Sequence, residues 1–539
     1  MFYFNKVKNF FTFRNILLVS FYIFIFFIFL HNSYSYLDPD LGWHLQFGKE
    51  TFESGEVSHI ENRNFTLLGK RWVDHEWLLN VIIYIIYSRM GYLWTNLFFA
   101  FIAVLTFTII NIFLLKKYKT KIFDLTILLL LELLAVFGIL PHFGVRVQEI
   151  NFLFITLLFF IIFGFEKNKK YIILLFLPPL LFLWSCLHGG FLIGFIVLFI
   201  FLCIKILEII LQKFTKIKFI EYNILSIKDL IIFACVSSFS FFLTFLGPYK
   251  FELYSFLYQY RDTFYLTHIA EWIPIFYVPV RISQFFYVVV LIAIIFSCIF
   301  DVKFKKIKLF EFLISIFFIT LSIKSKRHFP LLFIASIFFI YDYLIFFFQN
   351  LSNFLSKIYS KTYYIIQMFA IIILIMFSSL FFSKINFTKD PFLSFKNHYP
   401  VNMLSCINEQ KQKNKRIFVY YGWGGYLIWT LPEVRLFLDG RLPQYPFDDG
   451  ESILKKYFEF FEKDKSEKLL NKYEIQMVVL KKQEKKHRFN WLESFFSYGS
   501  GATETSKNYL MGFLNSSDDW IILCEEKNGI IFIRKQIDI

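Results

Sequence analysis

The first residues suited to chemistry are two aspartates that flank a proline, Asp38-Pro39-Asp40, just after an apolar stretch at 16–30. Proline fixes its own φ angle and holds the preceding residue extended, so both carboxylates are predicted to lie on a short rigid segment. Such a pair can hold a divalent cation, Mg²⁺ or Mn²⁺, or act as a general base. Asp38 and Asp40 are therefore candidate catalytic residues and candidate metal ligands. The alternative is that Asp40 only caps the helix that begins after it.

A second polar group, Asp74-His75-Glu76, lies between Trp72 and Trp77. Three consecutive ionisable side chains can line a site, and we predict that all three bind substrate. The alternative interpretation rests on the two tryptophans, which are residues typical of the membrane surface and can serve as interfacial anchors.

Single ionisable residues complete the candidate substrate-binding set: His142, Arg146, His188, Glu271, Arg327 and His328. Arginine pairs with phosphate through two parallel hydrogen bonds, so Arg146 and Arg327 suit a substrate that carries a phosphate. Lys324 and Lys326 flank Arg327 and favour plain interfacial anchoring to the same degree. A lone histidine at a helix end, such as His188, is usually a capping or surface residue.

Membrane-spanning helices must position these residues. The 539-residue chain is 57% hydrophobic, contains 79 Phe and has a mean hydropathy of +0.55, more apolar than a water-soluble core of this length requires. A span needs about 20 apolar residues. We predict about eleven spans, near residues 15–33, 95–115, 122–140, 150–166, 171–188, 191–212, 229–247, 283–300, 309–323, 330–348 and 362–383.

Lysines cluster in alternate loops between these spans, which predicts the side that each loop faces. The clusters follow the positive-inside rule if the N-terminus is cytoplasmic. They also explain the formal charge of +16 without nucleic acid as a partner. The candidate residues then lie on the outer face, where the first loop covers 34–94 and includes an interfacial helix at 77–87. No small-residue cleavage site follows the first apolar stretch, so we predict an uncleaved span rather than a signal peptide.

The composition changes after the last span, since apolar runs shorten and charge density rises. We predict a transmembrane domain at 1–383 and a small extracytoplasmic α/β domain at 384–539. Its predicted strands and helices lie at 417–420, 435–438, 477–480, 520–524 and 530–534, and near 402–412 and 450–470, respectively. The six cysteines show no CxxC or Cys/His spacing, so we predict neither a zinc site nor a disulfide framework.

Several segments together resemble a bacterial family of large membrane proteins that is similar to the GT-C class of glycosyltransferases. The segments are 38–48, 72–78, 183–191, 271–274, 421–426 and 437–441. The resemblance implies a mostly α, polytopic GT-C-like fold in a bacterial inner or plasma membrane. It also implies transfer of a sugar from a polyprenyl-phosphate-linked donor to a glycan, lipid or protein acceptor at the outer face.

Asp38 and Asp40 fall at the position of the acidic motif in the first outer loop of the GT-C class. The turn Gly422-Trp-Gly-Gly-Tyr426 is only loosely similar to the acceptor motif of oligosaccharyltransferases, because it lacks the adjacent aspartate, and acceptor binding is not assigned to it. For Asp439-Gly440-Arg441 we expect a tight turn stabilised by a salt bridge.

Other functions are alternatives to that of a transferase. A polymerase or ligase for lipid-linked glycans would place its key residues in a large late outer loop. From a different class, the alternatives are a non-catalytic membrane scaffold or a transporter of lipid-linked glycans. A transporter is expected to have charged or broken helices at mid-membrane and related halves. Here Glu132 is the main ionisable residue near a span centre, and no half repeat is visible, which favours the transferase.

Overall fold

The computed structural model describes residues 13–118, 122–215, 220–269, 271–274, 287–296, 299, 307–355, 360–385, 387, 390–396, 398–409, 416–447, 449–482 and 509–535. The chain divides into two compact units. Unit 1 comprises Met1–Tyr36, Asn96–Gly247 and Arg281–Asn386. Unit 2 comprises Leu37–Thr95, Pro248–Val280 and Phe387–Ile539.

Long apolar helices make up most of unit 1. The helices, the second of which starts in unit 2, are Phe13–Ser35, Tyr92–Tyr118, Ile122–Ile139, Ile150–Asn168, Leu177–Leu187, Phe191–Phe214, Ile227–Leu243, Tyr287–Phe296, Leu309–Lys324, Phe329–Leu355 and Ser360–Ser383. Short 3₁₀ turns lie at Leu140–His142, Val147–Glu149, Tyr171–Phe176, Thr244–Leu246 and Lys326–His328. A bilayer admits such helices because each satisfies its backbone hydrogen bonds internally.

All eleven predicted spans fall on these helices as far as they are described; residues 283–286, 297–298 and 300 of the eighth lie outside the described residues. Within the described residues, six stretches are long and apolar enough to cross a membrane: Phe13–Ser35, Tyr92–Lys116, Val147–Asn168, Phe191–Phe214, Ile227–Leu246 and Lys326–Ile345. The other five predicted spans coincide with shorter described apolar helices, the fifth span with a 3₁₀ turn followed by Leu177–Leu187. The protein is an integral membrane protein, and its fold is mostly α-helical.

Glu132 has internal partners on neighbouring helices. Its Oε2 accepts a hydrogen bond of 3.1 Å from Asn111 Nδ2, which also donates to the Tyr22 hydroxyl at 2.9 Å. The Glu132 side chain is fully buried. This polar contact therefore joins three apolar helices, as hydrogen-bonding side chains do between membrane helices.

Unit 2 combines helices and a mixed sheet. Its helices are Leu41–Ser54, Trp77–Met90, Glu252–Gln259, Thr263–His268, Pro391–Ser394, Leu404–Glu409, Gly424–Thr430, Ile453–Glu459, Ser466–Lys472 and Tyr509–Ser516. The helix Leu41–Ser54 packs against both Trp77–Met90 and Gly424–Thr430. Unit 2 thus brings the first predicted outer loop together with the C-terminal segment.

Two-residue strands β1 (Ile220–Glu221) and β2 (Ile307–Lys308) pair in unit 1. The sheet of unit 2 consists of β3 (Arg416–Val419), β4 (Arg435–Leu436), β5 (Met477–Lys481), β6 (Trp520–Glu525) and β7 (Gly529–Arg534). Its order is β4-β3-β5-β7-β6, parallel across the first three strands and antiparallel across the last three. All five predicted strands are present. The predicted helix at 450–470 is two shorter helices, Ile453–Glu459 and Ser466–Lys472.

A disulfide joins Cys406 to Cys524 in unit 2, so the prediction of no disulfide was wrong. The partners are 118 residues apart and share no short motif. The fold brings them together because β6, which contains Cys524, lies in the same unit as the short helix that contains Cys406. Motif spacing therefore held no signal for this pair.

Candidate functional site

The turn at Asp38 and Asp40 places both residues at the start of the helix Leu41–Ser54. The Asp40 backbone N–H donates to Asp38 Oδ1 at 2.9 Å, which fixes the turn. Asp40 occupies the N-cap position, but its carboxylate accepts no hydrogen bond from the backbone of the helix. Capping is therefore not what its side chain does.

The Asp40 carboxylate lies instead against Gly440. A Cβ atom added at Gly440 would lie 2.3 Å from Asp40 Oδ1, far closer than two such atoms can approach. Only glycine leaves room for the carboxylate at this point. The structure thus places the turn Asp439-Gly440-Arg441 directly beside Asp40.

Two further glycines explain the Gly422–Tyr426 motif. A Cβ atom at Gly42 would lie 2.1 Å from the Gly425 carbonyl oxygen, and one at Gly425 would lie 2.5 Å from the Pro39 carbonyl oxygen. The short helix Gly424–Thr430 can therefore pack backbone to backbone against the turn that carries Asp40. The motif has a close-packing role in this unit.

Arg441 holds the neighbouring turn through a buried ion cluster. Its Nη2 donates to Asp439 Oδ2 at 2.6 Å and to Glu61 Oε1 at 3.0 Å, and its backbone N–H donates to Asp439 Oδ1 at 2.8 Å. The guanidinium lies 4.4 Å from the ring centroid of Phe47 and 4.7 Å from that of Trp72. The tight turn with a salt bridge that the sequence suggested is confirmed, and Glu61 is an additional partner.

Several carboxylates lie close enough to Asp40 to affect its pKa. Burial is the largest cause that raises the Asp40 pKa above its ordinary value, and the charge of Asp38 adds to it. The charges of Glu271 and Glu76 raise this pKa further, while the Trp43 indole opposes the rise. Three other acidic side chains, from three segments of the chain, therefore act on the Asp40 carboxylate within unit 2.

Asp74 belongs to a buried hydrogen-bonded chain. Asn80 Nδ2 donates to both Asp74 carboxylate oxygens, at 3.0 and 2.9 Å. His44 Nδ1 donates to Asn80 Oδ1 at 2.7 Å. Burial raises the Asp74 pKa to about 6. The role of Asp74 in the structure is to bond with Asn80, and through it to connect with the helix Leu41–Ser54.

His75 and Glu76 adjoin this chain. His75 Nε2 lies 3.3 Å from Glu76 Oε1, and His44 Nδ1 lies 3.9 Å from Glu76 Oε2. The His75 ring also contacts Phe256 and Tyr260, with centroids 5.6 and 5.9 Å away. The Tyr260 ring stacks with Trp272 at 6.4 Å, next to Glu271 in the chain. The 248–274 segment thus brings Glu271 towards His75.

One of the two tryptophans of this region, Trp72, is not an interfacial anchor. Trp72 is only 2% exposed and packs edge to face on Phe47 at 4.4 Å, so it belongs to the core around Arg441. Trp77 begins the helix Trp77–Met90 and is partly exposed. The anchoring interpretation therefore fails for Trp72.

The remaining five candidates belong to unit 1. Arg146 is 6% exposed, and its guanidinium lies 5.4 Å from the ring centroid of Tyr36. The His142 ring lies 6.5 Å from that of Phe329, which directly follows Arg327 and His328 in a 3₁₀ turn. Unit 1 therefore brings His142 to the segment that carries Arg327 and His328.

His188 is held by its own loop and by Asn151 of the helix Ile150–Asn168. Its Nδ1 accepts hydrogen bonds from the Gly190 backbone at 2.8 Å and from Asn151 Nδ2 at 3.1 Å. Asn151 Oδ1 accepts in turn from Trp184 Nε1 at 2.7 Å, and a Cβ atom at Gly190 would lie 2.2 Å from it. Gly190 must therefore be glycine to allow the close approach of Asn151.

Sequence reasoning missed Gly440 and Tyr421 as neighbours of Asp40, and Glu61 as a partner of Arg441. The charge of Asp40 is one of the causes that raise the Tyr421 pKa, after burial and the charge of Tyr265. Tyr421 and Gly440 lie in two of the segments that carried the family resemblance. The available signal was that both residues lie in segments of the family resemblance. Spacing alone could not place them beside the first outer loop.

Whether these side chains can hold a divalent cation depends on how many of them can act as ligands. Within the described residues, no group of three His, Cys, Asp or Glu side chains is arranged to hold a metal ion. Mg²⁺ commonly uses only one or two protein carboxylates and takes its other ligands from water and substrate phosphate. The excess of acidic groups around Asp40 is compatible with that mode, with Asp38 and Asp40 as ligands.

Solved structures share the fold. The Archaeoglobus fulgidus oligosaccharyltransferase in the apo form aligns with a TM-score of 0.51 over 88% of this chain and 70% of that chain. Archaeal oligosaccharyltransferase AglB from the same organism, in complex with an inhibitory peptide and a dolichol-phosphate, aligns at 0.51 over 86% and 69%. The A. fulgidus enzyme tethered with an acceptor peptide aligns at 0.55 over 97% and 74%.

Sequence identity is 10% in all three comparisons, so the likeness concerns the fold. The chain has a GT-C-like fold, as the resemblance implied, and an α/β C-terminal region, as the composition predicted. No protein-family model matches the sequence, and no curated protein matches it.

Proposed function

We propose that this protein is a GT-C-type glycosyltransferase that moves a sugar from a polyprenyl-phosphate-linked donor to an acceptor at the outer face of the membrane. The observation that carries the proposal is the convergence of Asp38, Asp40, Glu76 and Glu271 in unit 2, next to a glycine that leaves room for the Asp40 carboxylate. The fold shared with oligosaccharyltransferases supports it. One of those structures contains a dolichol-phosphate, which is a lipid phosphate.

Asp40 is the proposed catalytic residue. As a general base it would take the proton of the acceptor nucleophile as the sugar is transferred, and Asp38 would hold it in place through the turn that both form. His75 and Glu76 supply hydrogen-bonding groups for the sugar or the acceptor. Glu271 supports the same role from a second segment.

The candidate cations of unit 1 are proposed, taken by themselves, to bind a lipid phosphate. Arg146 has its guanidinium over the Tyr36 ring, and Arg327 lies beside His328 at the start of a span. An arginine at a span end can meet a lipid phosphate that remains in the bilayer surface. His142 and His188 complete the proposed donor contacts.

A divalent cation would be held by Asp38 and Asp40 and would supply positive charge to the leaving phosphate. In that case Asp40 is a metal ligand rather than the base. Loss of activity on treatment with EDTA, and recovery with Mg²⁺ or Mn²⁺, would distinguish the two roles.

The proposed location is a bacterial inner or plasma membrane, with a cytoplasmic N-terminus and unit 2 outside. The Cys406–Cys524 disulfide supports this orientation, since disulfides persist in oxidising compartments. The lysine-rich loops support it independently.

The test is a transfer assay with the purified chain in lipid vesicles. A panel of labelled polyprenyl-phosphate and polyprenyl-diphosphate sugars is supplied, and label is followed into water-soluble, lipid and protein fractions. We expect one donor class to lose its label to an acceptor. If the bilayer-inserted protein is folded and consumes no donor of the panel, the scaffold alternative is favoured.

A further inference from the structure

A cavity in unit 1 lies away from every residue assigned above. It has a volume of about 1020 Å³ and lies among the helices Ile150–Asn168, Leu177–Leu187 and Phe191–Phe214 together with the strands β1 and β2. Apolar side chains such as Phe113, Phe160 and Leu180 form much of its wall. Phe160, Phe176 and Leu183 are also exposed to the surroundings, by 40%, 63% and 45%. The cavity is therefore open through an apolar side.

The polar end of the cavity carries many charges. Five lysines and four glutamates line it. Lys205, only 2% exposed, forms ion pairs with Glu166 and with Glu208 (3.0 Å to Oε2), and Lys308 lies 3.7 Å from Glu311 Oε2. Three of the four glutamates thus have a lysine partner.

Among the described residues, the other lining lysines have no carboxylate partner. Within the described part of the chain, Lys116 and Lys167 form no ion pair, and Lys169 Nζ donates only to the Ile224 carbonyl oxygen, at 3.2 Å. Among the described residues, Glu221 is the one lining glutamate that forms no ion pair with a lysine, although it opposes Lys308 in the β1–β2 strand pairing. The groups left without a counter-charge are therefore mainly cationic.

We propose that this cavity binds an anionic phospholipid, with its acyl chain along the apolar wall and its phosphate at Lys116 and Lys167. An apolar wall that opens sideways accepts a hydrocarbon chain, whereas a soluble metabolite would leave that wall exposed. Lysines at the end of membrane helices attract anionic headgroups. The occupant is a structural or regulatory lipid and not the sugar donor, because the carboxylates and arginines assigned to transfer are absent from this cavity.

Gly164 offers a way to block the cavity without disturbing the helix. It lines the cavity within the helix Ile150–Asn168, and a Cβ atom there would meet Ile173 only at an ordinary 3.7 Å. Leucine at this position would extend into the cavity, and it favours a helix more than glycine does. Gly164→Leu should therefore remain folded.

The test uses the purified full-length protein in detergent, titrated with phosphatidylglycerol or phosphatidylcholine and observed by native mass spectrometry. We expect one tight phosphatidylglycerol site that is about tenfold weaker for phosphatidylcholine. The double variant Lys116→Gln/Lys167→Gln should lose this preference, and Gly164→Leu should lose tight binding of either lipid. Lys213→Gln, a lysine outside the cavity lining, is the matched control and should bind as the parent does.

Equal affinity for both lipids in the parent would overturn the proposal, because it indicates lipid held only at the general apolar surface. Unchanged tight binding in Gly164→Leu would overturn it as well, because the lipid then occupies another place. Thermal unfolding of each variant shows that the protein is folded in both cases.

Discussion

The Oδ1 atom of Asp40 lies where a side chain on Gly440 would have to be, 2.3 Å from an ideal Cβ position. These residues are 400 positions apart in the chain, and both belong to unit 2. The position of the proposed catalytic carboxylate therefore depends on a turn in the C-terminal segment.

We predict that Gly440→Ala lowers transfer activity by about 100-fold, because its methyl group displaces the Asp40 carboxylate by up to about 1 Å. The overpacked contact also destabilises unit 2 by about 1–3 kcal/mol. Transfer kinetics and thermal unfolding measure the two effects. Gly512→Ala is the control, since a Cβ atom there meets nothing within 4 Å. A Gly440→Ala protein with parental activity would contradict the close contact.

Arg441→Met tests the ion cluster behind this turn. The change leaves Asp439 and Glu61, both nearly fully buried, without their cation. We expect it to destabilise the protein by about 3–5 kcal/mol. Lys465→Met breaks an exposed pair with Glu462 (2.8 Å) and should change stability by less than about 1 kcal/mol. Chemical unfolding monitored by tryptophan fluorescence gives the free energy of unfolding of each variant. Equal losses in the two variants would show that the Arg441 cluster contributes no more to stability than a surface pair.

Asp74 predicts a pH dependence of stability. Burial raises its pKa from 3.8 to about 6 in the folded protein. Folding therefore favours the protonated carboxyl, and this stabilisation is complete below the unfolded-state pKa and is lost as pH rises through about 6. A difference of about two pKa units corresponds to about 3 kcal/mol.

Asp74→Asn cannot lose a proton. We predict that its stability relative to the parent increases by about 3 kcal/mol from about pH 4 to about pH 7. Thermal unfolding at a series of pH values measures this difference. Asn515→Ala changes an exposed side chain that does not titrate, so its difference from the parent should not vary with pH. The same flat profile for Asp74→Asn would mean that the Asp74 pKa is not raised.

The Cys406–Cys524 disulfide predicts a loss of stability in Cys406→Ser/Cys524→Ser. Opening a crosslink across 118 residues is expected to destabilise the protein by about 2–5 kcal/mol. Thermal unfolding measures the loss, and thiol counting under denaturing, non-reducing conditions gives two fewer reactive thiols in the parent than after reduction. Cys203→Ser, which changes an exposed free cysteine, is the control. Equal thiol counts before and after reduction would show that the bond does not form.

Much of the fold could be predicted from the sequence because its signals are local. A stretch of about 20 apolar residues indicates a span by itself, and all eleven predicted spans fall on helices. Short apolar runs between polar turns likewise marked all five strands of unit 2. The single predicted helix at 450–470 is divided because Ser466 begins a second helix after a turn.

Features that depend on long-range contacts could not be predicted. The disulfide, the burial of Trp72 and the position of Gly440 beside Asp40 all arise where distant segments meet. Trp72 illustrates the reason: tryptophan suits a membrane surface and a buried core equally well, and only the presence of Arg441 and Phe47 beside it decides between them. The two-domain division at residue 383 stays a prediction.

The role of Asp40 is tested most directly by Asp40→Asn, which keeps the size of the side chain and removes its charge. In the reconstituted transfer assay we predict that kcat falls by about 100-fold to 10,000-fold, whereas thermal stability does not fall. Asp518→Asn, with an exposed carboxamide, should retain parental kcat. Full transfer activity in Asp40→Asn would contradict the assignment of Asp40 as base or metal ligand.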